Sequence, residues 1–202
     1  MEHATLAYMS GTGSTNPLDY KVAACREFSV EVEYYPLIDE LVAKAIGWGY
    51  FRNIDRIKGV ELEVAFNLND NTEVTGFIDR LDVFDQTADI KDLKTQKNAF
   101  EPEELSLNWQ ARIYNIAVRK KFLQVVDKLC VSFWGLRHRV QKVWLTAEDA
   151  VRDCLALVDK AREIRSCSNP QPSPSGLCQF CGYREQCPQP SLKKMFKKKG
   201  RL

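Results

Sequence analysis

The sequence Gly76-Phe77-Ile78-Asp79-Arg80-Leu81-Asp82 is followed, after one turn, by Asp92-Leu93-Lys94-Thr95. Both segments lie in runs of alternating apolar and polar residues, which predict two β-strands. Side chains two apart in a strand share a face, so Asp92 and Lys94 point the same way. An antiparallel neighbour can bring Asp79 beside them. The sequence therefore predicts two carboxylates and one ammonium at a single position on a sheet.

Two carboxylates and a lysine are the groups required for metal-assisted hydrolysis of a phosphodiester. Mg²⁺ and Mn²⁺ bind through few carboxylates together with water and substrate phosphate. A lysine beside the metal can orient the attacking water. The alternative is a surface strand carrying a salt bridge, and the Asp92-x-Lys94 spacing taken alone favours that alternative.

The context of these strands adds further candidates. A helix predicted over 102–122 places Gln110 and Tyr114 on one face, four residues apart, where they can hold a phosphate or line the helix surface. A preceding strand carries Glu61 and Glu63, which either add a carboxylate or form its solvent-exposed face.

The remaining periodicities complete the fold prediction. Apolar spacing predicts two more helices, and alternation predicts three more strands. Helices and strands in this order favour an α/β fold, a mixed sheet flanked by helices. The segments are 36–47 and 146–164 for the helices, and 60–66, 128–137 and 141–145 for the strands.

Three of the seven cysteines are close together, as Cys178-x₂-Cys181-x₅-Cys187, after a loop rich in proline and serine. Such spacing is typical of metal ligands. Zinc and cubane iron–sulfur clusters both take four protein ligands, so a fourth is required. Cys25, another residue, or a segment upstream of Met1 remains open for that role, as does the alternative of three reduced thiols.

Charge is distributed unevenly along the chain. The 29 Lys and Arg residues nearly balance 27 Asp and Glu residues, but six basic residues and no acidic ones lie in the final segment 190–202. This tail favours a polyanion, first nucleic acid and then an anionic membrane surface, although it can also serve only solubility. No apolar run reaches a membrane-spanning length and no secretory signal is present, so we expect an intracellular protein without a membrane partner. The basic residues are Lys193, Lys194, Lys197, Lys198, Lys199 and Arg201.

These motifs, in this order from about Glu61 onward, resemble the PD-(D/E)xK nuclease superfamily in its RecB-like exonuclease branch, which includes the Cas4 adaptation nucleases and AddB-type nuclease domains. The resemblance implies a restriction-endonuclease-like core and a Mg²⁺- or Mn²⁺-dependent deoxyribonuclease. It also implies a bacterial, archaeal or phage source and a role in recombination or repair, CRISPR adaptation or phage DNA processing. A helicase or integrase partner is compatible with each of these.

The resemblance also implies roles for individual residues. Asp79 and Asp92 would bind the metal together with the Leu93 carbonyl, and Lys94 would be the catalytic lysine. His3 resembles a metal-binding histidine of the branch's first core helix, and a solvated terminal histidine is the alternative.

Two further motifs of the branch have counterparts here. Gln110 and Tyr114 would form its Gln-x-x-x-Tyr motif and contact DNA. Cys178, Cys181 and Cys187 would bind a [4Fe–4S] cluster with a distant N-terminal cysteine. The residues before His3 include no cysteine, which leaves the fourth ligand unassigned.

We therefore expect a nuclease core over 1–165, a cysteine-rich iron–sulfur segment over 166–190 and a basic tail over 191–202. Two rival interpretations remain open. One is a catalytically silent DNA-binding or scaffold module that keeps the nuclease fold. The other is a zinc-containing nucleic-acid adaptor whose acidic strand is only a salt-bridged surface.

Overall fold

The computed structural model describes residues 16–69, 71–122 and 126–188. Within them the chain forms a five-stranded mixed sheet flanked by helices, which confirms the predicted α/β architecture. The strands lie side by side in chain order. Their bounds are β1 (Ile57–Asn69), β2 (Thr72–Phe84), β3 (Thr87–Lys94), β4 (Lys128–Gly135) and β5 (Val140–Leu145).

Helices precede, interrupt and follow the sheet. Short 3₁₀ turns accompany them at Pro17–Tyr20, Val32–Tyr34, Ile54–Arg56 and Gly176–Phe180. The α-helices are α1 (Lys21–Glu27), α2 (Tyr35–Gly47), α3 (Pro102–Ser106), α4 (Trp109–Lys121) and α5 (Ala147–Ser166).

The pairing of the strands is antiparallel except between β3 and β4, which are parallel. A parallel pair needs a long crossover, and α3 and α4 provide it. The prediction of one continuous helix over 102–122 is wrong at one point. The helix is interrupted at Leu107 and Asn108, because the Asn108 side chain accepts a hydrogen bond from Ala111 N at 3.1 Å and so starts α4.

Both faces of the sheet are covered. Val131 and Phe133 of β4 pack into the larger apolar cluster, which includes the buried residues of α4. Trp134, the next residue, packs into a smaller cluster with Leu41 and Ala45 of α2. Consecutive strand residues point to opposite faces, so α4 and α2 lie on opposite sides of the sheet.

A group of charged side chains is fully enclosed on the α2 side; we call Arg80, Asp82 and Lys91 the buried ion cluster. The Asp82 carboxylate contacts Arg80 at 2.6 and 2.7 Å and Lys91 at 2.7 Å. Arg80 also donates to the carbonyls of Tyr50 and Arg52. The cluster thereby fixes the segment after α2 to the sheet.

Contacts divide the chain into two compact units, 1–159 and 160–202, with the division inside α5. The domain limits expected from the sequence, at 165 and 190, stay predictions. Across the part of the chain that is described, no helix combines the length and apolar character needed to cross a membrane.

Candidate active site

The candidate site forms where β2 and β3 separate. Paired residues run between these strands only as far as Arg80 and Lys91, although both strands continue. Beyond that point a side chain replaces the backbone pairing: Asp79 Oδ2 accepts a hydrogen bond from the backbone N of Leu93 at 2.8 Å. We call this separation of β2 and β3 the fork. It places Asp79 directly beside the segment that carries Asp92.

Asp92 is 1% exposed and lies at the centre of the site. Its Oδ1 accepts from Gln110 Nε2 at 2.9 Å and lies 3.5 Å from Tyr114 Oη, and its Oδ2 lies 2.5 Å from Lys94 Nζ. Burial raises the pKa of Asp92 above its usual value. Lys94 opposes this rise and the negative charge of Asp79 adds to it.

The predicted pair on α4 faces these groups. Lys94 Nζ donates to Gln110 Oε1 at 2.8 Å, and Gln110 Nε2 donates to Tyr114 Oη at 2.9 Å. Tyr114 Oη in turn donates to the carbonyl of Phe77 at 2.8 Å. Burial raises the pKa of the Tyr114 hydroxyl, and the negative charge of Asp92 adds to that rise, so the group remains a donor at neutral pH.

The position of α4 is fixed by a second ion pair. Arg112 Nη2 contacts Asp153 Oδ1 of α5 at 2.5 Å, and Asp153 is fully buried. The Arg112 guanidinium also stacks on the ring of Trp109, 4.1 Å from its centroid. The N-terminal turn of α4, which carries Gln110, is therefore tied to α5 through Arg112, whose guanidinium is itself oriented by Trp109 of the same helix.

We refer to Asp79, Asp92 and Lys94 as the Asp–Lys cluster. Two carboxylates and a backbone carbonyl suit Mg²⁺ or Mn²⁺, which take few protein carboxylates and complete their shell with water and phosphate. The buried carboxylate of Asp92 faces a second negative charge, which a cation would neutralise. The donor set therefore fits a divalent cation.

The remaining residues considered from the sequence as metal ligands on the nuclease core are His3, Glu61 and Glu63. His3 lies outside the described residues. Glu61 and Glu63 are exposed on β1. Among residues 16–69, 71–122 and 126–188 no three His, Cys, Asp or Glu side chains are gathered to hold a metal.

The three clustered cysteines lie in the second unit. Cys178, Cys181 and Cys187 contribute to the lining of one cavity of about 440 Å³. Ser175 N donates to Cys178 Sγ at 3.2 Å. The structure does not place the three thiols around a common metal position, so the iron–sulfur cluster stays a prediction. The basic tail from 191 lies outside the described residues.

Sequence reasoning missed two features near Lys94. Gly135 is its neighbour on β4, and the ring of His138 occupies the space where a side chain at 135 would lie. A glycine inside the predicted strand 128–137, three residues before a histidine, was the available signal. The carbonyl of Phe77, which fixes Tyr114, left no signal because any residue supplies a carbonyl.

A comparison with protein families matches residues 14–188 to the family model of the PD-(D/E)XK nuclease superfamily. The chain belongs to this superfamily. PD-(D/E)XK nucleases act on nucleic acid and generally use divalent metal ions, in agreement with the donor set at the fork.

Two solved structures are similar to this PD-(D/E)XK chain in fold. SSO0001 has 15% sequence identity and a TM-score of 0.45, over 86% of this chain and 79% of its own. A candidate exonuclease from Eubacterium rectale has 10% identity and a TM-score of 0.46, over 87% and 76%. No curated protein matches the chain.

Proposed function

We propose that this protein is a metal-dependent DNA exonuclease of the RecB-like branch. The observation that carries the proposal is the hydrogen-bond network that joins Asp92 and Lys94 of the Asp–Lys cluster to Gln110 and Tyr114. With Asp79, which accepts from Leu93 N, three separate segments of the sequence contribute to one site, which a merely salt-bridged surface strand would not require.

Each residue of the Asp–Lys cluster has a defined task in this proposal. Asp79 and Asp92 hold the cation, with the Leu93 carbonyl and His3 as further ligands. The bound cation supplies a water of lowered pKa and charge stabilisation at the phosphate. Asp79 also accepts from Leu93 N, which fixes the orientation of its carboxylate.

Lys94 is the positive group closest to Asp92, and its ammonium has three donors. Gln110 Oε1 accepts one of them, so the lysine is held in place before substrate arrives. Asp92 Oδ2, 2.5 Å away, takes a second donor, and the third orients the attacking water. Gln110 and Tyr114 contact the DNA end, since both side chains reach the same point from α4.

The test is cleavage of end-labelled linear DNA with Mg²⁺ or Mn²⁺, with circular single-stranded DNA as the matched control. The proposal expects linear DNA to be degraded from an end, circular DNA to survive, and EDTA to stop the reaction. Cleavage of the circle would make the protein an endonuclease. Binding of DNA without any cleavage would support a silent scaffold module instead.

The tail is proposed to hold backbone phosphates without sequence preference. Deleting residues 192–202 should weaken DNA binding and flatten its salt dependence. Each lost phosphate contact should change the log–log slope by about 0.7–0.9. An unchanged slope would show that the tail does not touch DNA.

Cys178, Cys181 and Cys187 are proposed as ligands of a [4Fe–4S] cluster, supported by their spacing and their shared cavity. Anaerobically purified protein should carry iron and sulfide. Cys181→Ser should lower iron content and reduce stability by several kcal/mol, because metal binding in such sites is coupled to folding. Cys154→Ser on α5 is the control. Zinc in place of iron would show that the site binds zinc. If the protein carries neither metal, the three cysteines do not form a metal site.

A further inference from the structure

The turn between β4 and β5, residues 136–139, is attached to the strand that carries the Asp–Lys cluster; we call it the basic turn. Gly135, just before it, is the strand neighbour of Lys94. Leu136 N donates to the Lys94 carbonyl at 2.9 Å, and His138 N closes the turn on the Gly135 carbonyl at 2.8 Å. The turn is therefore fixed within one residue of the proposed catalytic lysine.

Three successive residues of this turn, Arg137, His138 and Arg139, are basic, and both arginines are exposed. Their side chains form no ion pair with any residue that the structure describes. The pair with Lys44 lowers the pKa of Glu40 on α2, and the charge of Arg137 adds a smaller lowering. The two guanidinium groups, which have no ion-pair partner among the described residues, are thus available to an anionic ligand.

His138 adds a more specific observation. Its ring nitrogens, Nδ1 and Nε2, are buried and have no hydrogen-bond partner among the described residues. The ring edge that carries them points at Gly135, where any Cβ would collide with it. Neighbouring residues of parallel strands share a face, so the ring lies on the face on which Lys94 meets Asp92.

Buried polar groups in proteins are almost always hydrogen-bonded, and an exception calls for an explanation. The turn that carries two exposed guanidinium groups and an unpartnered imidazole is anchored through its main chain beside Lys94. Phosphate oxygens suit this set, since guanidinium groups bind them through paired donors and imidazole can donate one more bond.

We propose that the basic turn binds the phosphodiester backbone of the DNA strand entering the Asp–Lys cluster. Arg137 and Arg139 hold phosphates on either side of the cleaved bond. The His138 ring turns away from Gly135 and donates to a phosphate oxygen. This inference rests on the proposed function, and it adds a backbone-binding site that the nuclease motifs do not include.

The first experiment separates this turn from charge in general. Binding of a fluorescein-labelled oligo-dT of about 12 nucleotides is measured in EDTA, so that nothing is cleaved, across a series of salt concentrations. The variant Arg137→Gln/Arg139→Gln is compared with Lys58→Gln/Lys128→Gln. Both controls are exposed, and Lys128 lies opposite Thr87, at the far end of β3 from Lys94.

The arginine variant should lower the log–log slope by about 1.4, corresponding to two lost contacts to a single strand. The lysine variant, which loses the same charge, should keep the parent slope. Equal slopes in the two variants would overturn the proposal. Binding by the turn without any cleavage by the parent would overturn the proposed function and leave this interface standing.

The second experiment tests His138 with His138→Phe, which keeps a ring of similar volume and removes the nitrogens. Its thermal stability should equal or exceed that of the parent, because two unpaired buried nitrogens are lost, while the Kd for the oligonucleotide rises at least about fivefold. Parent-like binding by His138→Phe would make His138 a packing residue only and overturn its part of the proposal.

Discussion

The Asp–Lys cluster and the buried ion cluster occupy interleaved positions of the same two strands, yet they are built in opposite ways. In the buried ion cluster one carboxylate, Asp82, lies between two cations, and Arg80 also donates to two backbone carbonyls. In the Asp–Lys cluster the one ammonium, Lys94, contacts Asp92 only, Asp79 accepts from the backbone N of Leu93, and burial raises the pKa of Asp92.

The carboxylate of the buried ion cluster is fully compensated by its partners, whereas the two carboxylates of the Asp–Lys cluster are not. Removing one partner from a well-bonded buried group is strongly destabilising. A buried carboxylate beside a like charge is instead a site that lacks stabilisation, as expected where a cation binds. Under the proposed function, neighbouring residues of β2 and β3 would divide stability and catalysis between the two sides of the sheet.

The largest expected effect is the loss of DNA cleavage in the variant Asp92→Asn. This change removes a proposed cation ligand while keeping the side-chain shape. Activity should fall more than about a hundredfold, since even residues that only support metal ligands contribute about 10- to 100-fold. Initial rates of DNA degradation measure it. Activity within tenfold of the parent would show that the Asp–Lys cluster is not the site.

The next effect is on stability, in Asp82→Asn. Arg80 and Lys91 would remain buried without their carboxylate, and the free energy of unfolding should fall by about 3–5 kcal/mol. Denaturant titration measures it. At a temperature where the variant is folded, its cleavage rate should stay within a few-fold of the parent. Parent-like stability combined with lost cleavage would reverse the roles assigned to the two clusters.

A smaller effect is expected from Gln110→Ala, which removes the link between the two parts of the site. Lys94 loses a hydrogen-bond acceptor, and Asp92 and Tyr114 each lose one donor. Because Gln110 supports the proposed reactive groups, kcat should fall about 10- to 100-fold. Asn108→Ala, which weakens the start of α4 without touching Asp92, is the control. An equal loss in both variants would indicate helix disruption.

The smallest effect is expected for Asp89, which lies on the face of the sheet that carries the buried ion cluster. Its carboxylate accepts a hydrogen bond from Ser132 Oγ at 2.6 Å. Burial raises the pKa of Asp89, so the fold prefers its neutral form. The stability that Asp89 contributes is therefore fully present below its pKa in the unfolded chain. It is lost as the pH rises through its pKa in the folded protein. Asp89→Asn should therefore raise the melting temperature near pH 7 and not near pH 3. An equal shift at both pH values would rule out titration of Asp89.

The sequence predicted the strands around Asp79 and Asp92 because local alternation is strong there. The fork itself was not predictable, since the switch from strand pairing to an Asp79–Leu93 bond depends on how β3 pairs in parallel with β4. That pairing joins residues about 40 positions apart. His138 was missed for the same reason, because its neighbour Gly135 meets Lys94 only in the folded sheet.

The most direct test of the account is thermal unfolding with and without Mn²⁺, for the parent and for Asp92→Asn. If the Asp–Lys cluster is a cation site, Mn²⁺ stabilises the parent, by about 2.7 kcal/mol when free cation is about 100 times its Kd. Asp92→Asn should lose this shift while melting at least as high as the cation-free parent. The same Mn²⁺ shift in both proteins, or none in the parent, would contradict the account.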